Sequence, residues 1–117
     1  MKIIIAGAGA VGTHLAKLLS REHHDITLID ETPEKLDGIG ANFDLMTVCA
    51  SPSSIQALRD AEVGHADLFI GVTPDEAHNM TCCMLASKLG ARKTVARVDN
   101  YEYTQPENRD FFKTIGI

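Results

Sequence analysis

The chain has 117 residues, of which 44% are hydrophobic and 23% are charged, as expected of one ordinary globular domain. Its 16 acidic residues outnumber 11 basic ones, giving a net charge of −5, and aromatic residues make up 5% of the chain. Nucleic-acid-binding surfaces need clustered Lys and Arg or aromatic stacking platforms, so this composition argues against a nucleic-acid partner.

The first twelve residues read MKIIIAGAGAVG and combine an apolar run with a glycine-rich turn. Lys2 to Ala6 is predicted to form a buried strand, and a helix is predicted from about Ala10 to Arg21. The turn between them has the pattern G-x-G-x-x-G, the fingerprint of a dinucleotide-binding site when it joins a strand to a helix. Gly7 permits the tight turn, Gly9 lets a pyrophosphate approach the backbone, and Gly12 lets the helix pack closely on the strand. The apolar face of the helix is expected to consist of Val11, Leu15, Leu18 and Leu19.

A second strand is predicted from Asp25 to Ile29, and it ends at Asp30. Asp30 follows the glycine turn by about twenty residues, where a dinucleotide-binding fold places an acid on the ribose hydroxyls. The alternative is an exposed acid that caps the following helix. That helix is predicted to start at Thr32-Pro33 and to continue to about Gly40.

The rest of the chain continues to alternate strands and helices. Strands are predicted at Leu45 to Cys49, Asp67 to Val72 and Lys93 to Val98. Helices are predicted after Ser51-Pro52-Ser53-Ser54, from after Thr73-Pro74-Asp75-Glu76 to Leu89, and from about Glu107 to Thr114. The alternation predicts an α/β fold, a Rossmann-like doubly wound parallel sheet with strand order 3-2-1-4-5. Residues 115–117 are expected to approach a sixth strand that is missing or barely begun, so residues 1–117 are interpreted as one domain of a longer chain.

In such a sheet the ligand lies in the crevice at the carboxyl ends of the strands, with its phosphates at a helix N-terminus. The residues predicted to bind it are Gly7, Ala8, Gly9, Ala10, Val11, Gly12, Asp30, Glu31, Lys35, Ala50, Ser51, Thr73, Pro74 and Arg97. Arg97 could grip a phosphate in a bidentate manner, or it could form an ordinary surface salt bridge with Asp99 or Glu102. The sequence leaves both open.

Catalytic and metal-binding patterns are not recognisable in the sequence. The five histidines form no H-E-x-x-H or comparable motif and are interpreted as exposed residues, His78 among them. Asp75 and Glu76 could be paired carboxylates for acid–base work, or they could cap a helix. Cys49, Cys82 and Cys83 predict neither a disulfide framework nor a zinc site, and no segment reaches the roughly 18 apolar residues of a membrane helix. A cytoplasmic protein without catalytic or metal residues and without direct membrane insertion is therefore expected.

The chain resembles the N-terminal nucleotide-binding domain of the Trk/Ktr potassium-uptake regulators, known as the RCK or KTN domain. The segments that carry the resemblance are MKIIIAGAGAVG, the strand ending LIDE, ALRDAEVGHADLFIGVTPDEAHNM and the strand ending ARV. The spacing Thr-x-Asp-Glu-x-x-Asn, from Thr73 to Asn79, is the more specific signal, since few dehydrogenases share it.

The resemblance implies that the glycine turn, Asp30, Thr73 and Arg97 bind NAD(H), with ATP or ADP as the ligand in some relatives. It also implies a homodimer or a larger ring, together with a membrane-embedded potassium transporter or channel subunit. Such a partner would hold the protein at the inner face of the cell membrane. Asp30 favours NAD(H) over NADP(H), because a 2′-phosphate would face its carboxylate.

One segment departs from the family pattern, which usually has Gly-Asx-Gly-Ser/Thr after strand three. The matching residues are Ala50-Ser51-Pro52-Ser53, a stiffer and bulkier loop beside the expected adenine position. The leading hypothesis is a non-enzymatic regulatory domain that senses nucleotides. The alternatives are the cofactor-binding half of an NAD-dependent oxidoreductase, for which 117 residues leave no room for a substrate domain, and a fold that binds no nucleotide and serves only in assembly.

Overall fold

The computed structural model describes the backbone of the chain and the side chains of residues 1–40 and 43–117. Its strands are β1 (Lys2–Ala6), β2 (Asp25–Asp30), β3 (Met46–Cys49), β4 (Leu68–Gly71) and β5 (Thr94–Ala96). Its helices are α1 (Ala10–Arg21), α2 (Pro33–Leu36), α3 (Ile39–Asn42), α4 (Ile55–Asp60), α5 (Glu76–Lys88) and α6 (Arg109–Thr114). Short 3₁₀ turns cover Val63–His65, Tyr101–Thr104 and Pro106–Asn108.

The strands form one parallel sheet in the order β3-β2-β1-β4-β5, which confirms the predicted Rossmann-like topology. β1 lies at the centre, and its Ala6 is in register with Ile29 of β2 and Gly71 of β4. Residues 3–6 are at most 2% exposed, because helices cover both faces of the sheet. The carboxyl ends of β1, β2 and β4 therefore meet at one edge, where the chain turns into helices.

The core divides into one cluster on each face of the sheet, as the alternation of side chains along a strand requires. Ile4 and Ala6 pack with Leu58 and with α5, whereas Ile3 and Ile5 pack with α1, α2 and α3. Cys82 and Cys83 lie in the first cluster with no exposed surface. Burial raises the pKa of the Cys82 thiol to about 12 and that of Cys83 to about 11, so both stay protonated and serve as small packing residues.

The buried face of α1 differs from the prediction. Val11 and Leu18 are each 43% exposed, and the fully packed positions are instead Gly12 and Ala16. A Cβ at Gly12 would lie 1.7 Å from the Gly7 carbonyl oxygen, so the helix approaches the turn more closely than a large side chain allows. Small residues therefore face the sheet directly, while Leu15 and Leu19 are partly buried against the core, as predicted.

Two predicted segments end differently from expectation. The helix predicted from Thr32-Pro33 to Gly40 is broken into α2 and α3 at Gly38, whose φ of 81° takes it out of the helical region. After α6, the N–H of Gly116 bonds to the Lys113 carbonyl and that of Ile117 to the Phe112 carbonyl. This is a Schellman motif, so residues 115–117 close a helix instead of approaching a sixth strand.

Candidate functional site

The glycine turn between β1 and α1 has two glycines that are needed for packing and one that leaves open space. The Gly7 N–H donates to the Ile29 carbonyl at 2.8 Å, and a Cβ at Gly7, where φ is 113°, would lie 2.9 Å from the Thr73 nitrogen. Gly12 is blocked by the Gly7 carbonyl, as described above. A Cβ at Gly9, by contrast, would meet no atom within 4 Å. Gly9 is also the N-cap of α1 and has no side chain to cap the first turn, so the helix N-terminus is accessible there.

Asp30 ties the glycine turn to the segment that follows β2. The residue is 8% exposed, and its Oδ2 accepts the Ala8 N–H and its Oδ1 the Thr32 N–H, both at 2.8 Å. Burial raises the pKa of this carboxyl, but the two backbone hydrogen bonds and the nearby Lys35 ammonium outweigh it and hold the pKa below its usual value. Asp30 is thus ionised at neutral pH. A carboxylate has about four lone-pair sites, so the group can also accept a hydroxyl beyond these bonds.

Asn79 performs the corresponding task on the other side of the crevice. It is 1% exposed, and its Oδ1 accepts both the N–H of Thr73 at 2.8 Å and the Thr73 hydroxyl at 2.7 Å. Its Nδ2 donates to the Thr73 carbonyl at 2.9 Å and to the Arg97 carbonyl at 3.0 Å. The amide therefore fixes the exits of β4 and β5 relative to the first turns of α5. The motif from Thr73 to Asn79 contained this signal, but nothing in the sequence indicated that the role was structural.

Asp75 and Glu76 are directed at backbone N–H groups. Asp75 is the N-cap of α5, and its Oδ1 accepts from Ala77 at 3.0 Å and from His78 at 3.3 Å. Glu76 Oε1 accepts from the N–H groups of Asp99 and Asn100 at 2.8 and 2.7 Å. Of the two interpretations that the sequence left open, the geometry favours capping and loop fixing over acid–base chemistry.

A cleft of 260 Å³ lies at the carboxyl edge of the sheet, between the exits of β2 and β4. Five of the predicted residues line it, namely Asp30, Glu31, Lys35, Thr73 and Pro74. Four further residues line it that the sequence did not single out as ligand contacts, namely Thr32, Pro52, Asp75 and His78. A larger cavity of 530 Å³ lies beside β5 and α6 and is lined by Val95 and Phe112, among others. Its described lining contains none of the nine residues that line the cleft.

The TrkA-N domain model matches residues 3–117 of the chain. The chain belongs to the TrkA-N domain family. Among curated relatives, it is 43% identical to the "Trk system potassium uptake protein TrkA" of Haemophilus influenzae over 112 residues, which are 95% of this chain and 24% of that protein. It is 32% identical to the TrkA homolog of Methanothermobacter thermautotrophicus over 117 residues, covering all of this chain and 52% of that protein. The chain thus spans about half or less of the length of these relatives.

Solved structures share the fold at low sequence identity. The TrkA-N domain of the inner membrane protein YbaL from Escherichia coli superposes with a TM-score of 0.83 at 15% identity, over 98% of this chain and 82% of that one. The GsuK channel bound to NAD gives 0.75 at 17% identity, over 98% and 20%. The C-terminal domain of Kef from Shewanella denitrificans, in an AMP-bound form, gives 0.71 at 22% identity, over 88% and 65%.

The loop after β3 contributes its proline to the cleft of this TrkA-N domain. Pro52 is buried and lines the cleft, whereas Ala50 and Ser51 do not appear among the described lining residues. The Ala50 N–H donates to the Asp30 carbonyl at 3.1 Å, and the Ser51 hydroxyl lies 3.0 Å from that of Ser53. The two predicted residues thus shape the loop, and Pro52 is the part of it that meets the cleft.

Arg97 is placed outside the described cleft lining of the TrkA-N domain. Its side chain is 47% exposed, and its Nε lies 4.0 Å from Asp99 Oδ1. This is the surface ion pair that the sequence offered as one of two possibilities. The backbone of Arg97 is nevertheless fixed at the crevice, because its N–H donates to the Gly71 carbonyl at 2.8 Å and its carbonyl accepts from Asn79.

Two classes of site find no support in the described part of the domain. No group of three or more His, Cys, Asp or Glu side chains in it is arranged to hold a metal ion. Nor does any helix there combine the length and the apolar composition that crossing a bilayer requires.

Proposed function

We propose that this TrkA-N domain, residues 1–117, binds NAD(H), or an adenine nucleotide such as ATP or ADP, in the crevice at the carboxyl edge of its sheet. The observation that carries the proposal is the open space over Gly9, at an N-terminus of a twelve-residue helix that no side chain caps. Phosphate oxygens suit such a position, because backbone N–H groups and the helix dipole both favour an anion. Gly7, Ala8, Ala10, Val11 and Gly12 would complete the phosphate cradle.

The ribose would lie at Asp30, in the cleft beside the glycine turn. The carboxylate is ionised and retains lone pairs that can accept ribose hydroxyls, while its bonds to Ala8 and Thr32 fix its position. Glu31, Lys35, Thr73 and Pro74 line the same cleft. Ala50, Ser51 and Arg97 would contact the nucleotide from outside this lining. Nucleotides with free ribose hydroxyls fit this arrangement better than those with a 2′-phosphate.

The bound nucleotide would act as a signal and would not be a reactant. The carboxylates at the start of α5 already bond to backbone N–H groups, which leaves them poorly placed to transfer a proton. The names of the curated relatives support a role in potassium uptake. A cytoplasmic homodimer or larger ring, attached to a membrane-embedded potassium transporter or channel subunit, would respond to the nucleotide if its two arrangements bind it with different affinity.

Calorimetric titration of Gly9→Val tests the phosphate cradle. The valine enters open space but is a poorer N-cap than glycine, so we expect only a small decrease in the urea midpoint. Its side chain keeps a phosphate from the backbone N–H groups, so NAD(H) and ADP should bind at least about tenfold more weakly, as the loss of a hydrogen bond to a charged group predicts. Gly40→Ala is the control, because its Cβ would lie 3.9 Å from the nearest atom and far along the chain from the crevice. Absence of measurable binding of any of these nucleotides to the wild-type chain would favour a role in assembly alone.

A further inference from the structure

His78 lies in the cleft although the sequence predicts only an exposed histidine. It occupies the first turn of α5, where its backbone N–H is held by the Asp75 carboxylate at 3.3 Å. The side chain is half-buried and lines the cleft together with Asp30 and Lys35. The hydrogen bonds and ion pairs of the described residues leave its imidazole ring without a partner, so both ring nitrogens are available to a ligand.

The charges that face His78 in the cleft are predominantly negative. Asp30 and Glu31 come from the end of β2, Asp75 from the start of α5, and Lys35 from α2. Three carboxylates against one ammonium give the described lining a net charge of −2 when the imidazole is neutral. A cleft with this balance repels a phosphate group and tolerates neutral hydroxyls.

An imidazolium at His78 would change the net charge of the described lining from −2 to −1. Histidine is the side-chain type whose charge ordinarily changes between about pH 5 and pH 8. Asp30 stays ionised in that range, because its backbone hydrogen bonds outweigh its burial and hold its pKa low. A protonated imidazole would place a second cation beside Lys35, next to the position where a ribose substituent lies under the function proposed above.

We infer that His78 is a specificity-determining residue, which sets how strongly the cleft rejects a nucleotide with a 2′-phosphate. With a neutral imidazole, the cleft selects free ribose hydroxyls. With an imidazolium, the same cleft accepts the additional anionic group more readily. The inference rests on the proposed function, since it assigns the ribose to this cleft.

The experiment compares NADP⁺ with NAD⁺ by calorimetry at about pH 8 and about pH 5.5, in the wild type and in His78→Gln. Glutamine keeps a polar side chain that can donate, but it does not titrate. The 2′-phosphate itself takes up a proton near pH 6, so the ratio of the two dissociation constants falls on acidification in both proteins. We expect it to fall about fivefold further in the wild type, the effect of one unit charge pair about 4 Å apart in water.

A second variant, His78→Arg, keeps a positive charge at both pH values. At about pH 8 its ratio should lie about fivefold below that of the wild type, and acidification should lower it only as far as it lowers the ratio of His78→Gln. Circular dichroism would establish that both variants are folded. Equal acid-dependent changes in the wild type and in His78→Gln would overturn the inference, as would undetectable NADP⁺ binding to the wild type at about pH 5.5. Failure of NAD⁺ to bind at either pH would instead remove the proposed function itself.

Discussion

The two sides of the crevice are each organised by one buried polar side chain, but the two side chains differ in how completely they are engaged. On the β1 and β2 side, Asp30 accepts one N–H on each carboxylate oxygen and still lines the cleft. On the β4 and β5 side, Asn79 accepts two hydrogen bonds on its oxygen and donates two from its nitrogen, and it is absent from the described cleft lining. A saturated neutral amide suits a framework, whereas a carboxylate with remaining lone pairs suits a framework that also contacts a ligand.

Removing Asn79 should have the largest effect on stability. Asn79→Ala leaves the Thr73 N–H and the Thr73 and Arg97 carbonyls without their partner, and it leaves a small cavity beside them. Because unsatisfied buried groups cost about 1–3 kcal/mol each, we expect the free energy of unfolding in urea to fall by about 2–4 kcal/mol.

The matched control lies on the same helix. Thr81→Ala removes an exposed hydroxyl that bonds only to the Ala77 carbonyl among described residues, at 3.0 Å, and should change the free energy of unfolding by less than about 0.5 kcal/mol. If both variants lost the same stability, Asn79 would not hold the two strand exits, and the contrast between the two sides would disappear.

Replacing Asp30 should cost less stability and add a dependence on pH. Asp30→Asn keeps one oxygen acceptor, but it directs an NH₂ group at the N–H of either Ala8 or Thr32, so we expect a loss of about 1–3 kcal/mol at pH 7. The folded-state pKa of Asp30 lies below its ordinary value of 3.8. Its ionised form therefore stabilises the fold above that value, and this contribution is lost as the pH falls through the folded-state pKa.

Urea unfolding at neutral pH and at about pH 3 tests the sign of this effect. The difference in unfolding free energy between the wild type and Asp30→Asn should be constant around neutral pH. It should become smaller in acid, because only the wild type loses an ionised carboxylate. A gap that widened in acid would mean that the carboxyl is destabilised when ionised, contrary to the geometry of its two hydrogen bonds.

The sequence was sufficient to predict the fold and the positions of the glycine turn and Asp30 on one side of the crevice. Strand–helix alternation predicted the order of the sheet, and the spacing from Gly7 to Asp30 placed the turn and the acid at one edge. The distinction between Gly9 and Gly12 could not be predicted, because it depends on how closely α1 approaches the Gly7 carbonyl. The same close approach explains why the large apolar Val11 and Leu18 were wrongly assigned to the buried face.

The composition of the cleft was the harder part to predict. Pro52 and His78 lie 26 residues apart in sequence, and both reach the cleft because the exits of β3 and β4 open on the same edge of the sheet, on either side of β2 and β1. A pattern within one segment has no information about such convergence. For the same reason, the sequence could name Arg97 as a residue near a strand end but could not determine that its side chain lies beside Asp99.

The prediction with the smallest expected loss of stability tests whether the cost of replacing a carboxylate comes from its charge or from the number of its oxygens that accept hydrogen bonds. Glu76 accepts both the Asp99 and the Asn100 N–H on the single oxygen Oε1. Glu76→Gln can therefore keep both bonds on its amide oxygen and loses only the charge, which we expect to cost about 0.5–1 kcal/mol at the start of a helix. Asp30→Asn loses the charge and one acceptor together. In urea unfolding at pH 7, a loss for Glu76→Gln as large as that for Asp30→Asn would mean that charge alone sets the cost. A smaller loss would show that Asp30 matters because both of its oxygens are engaged.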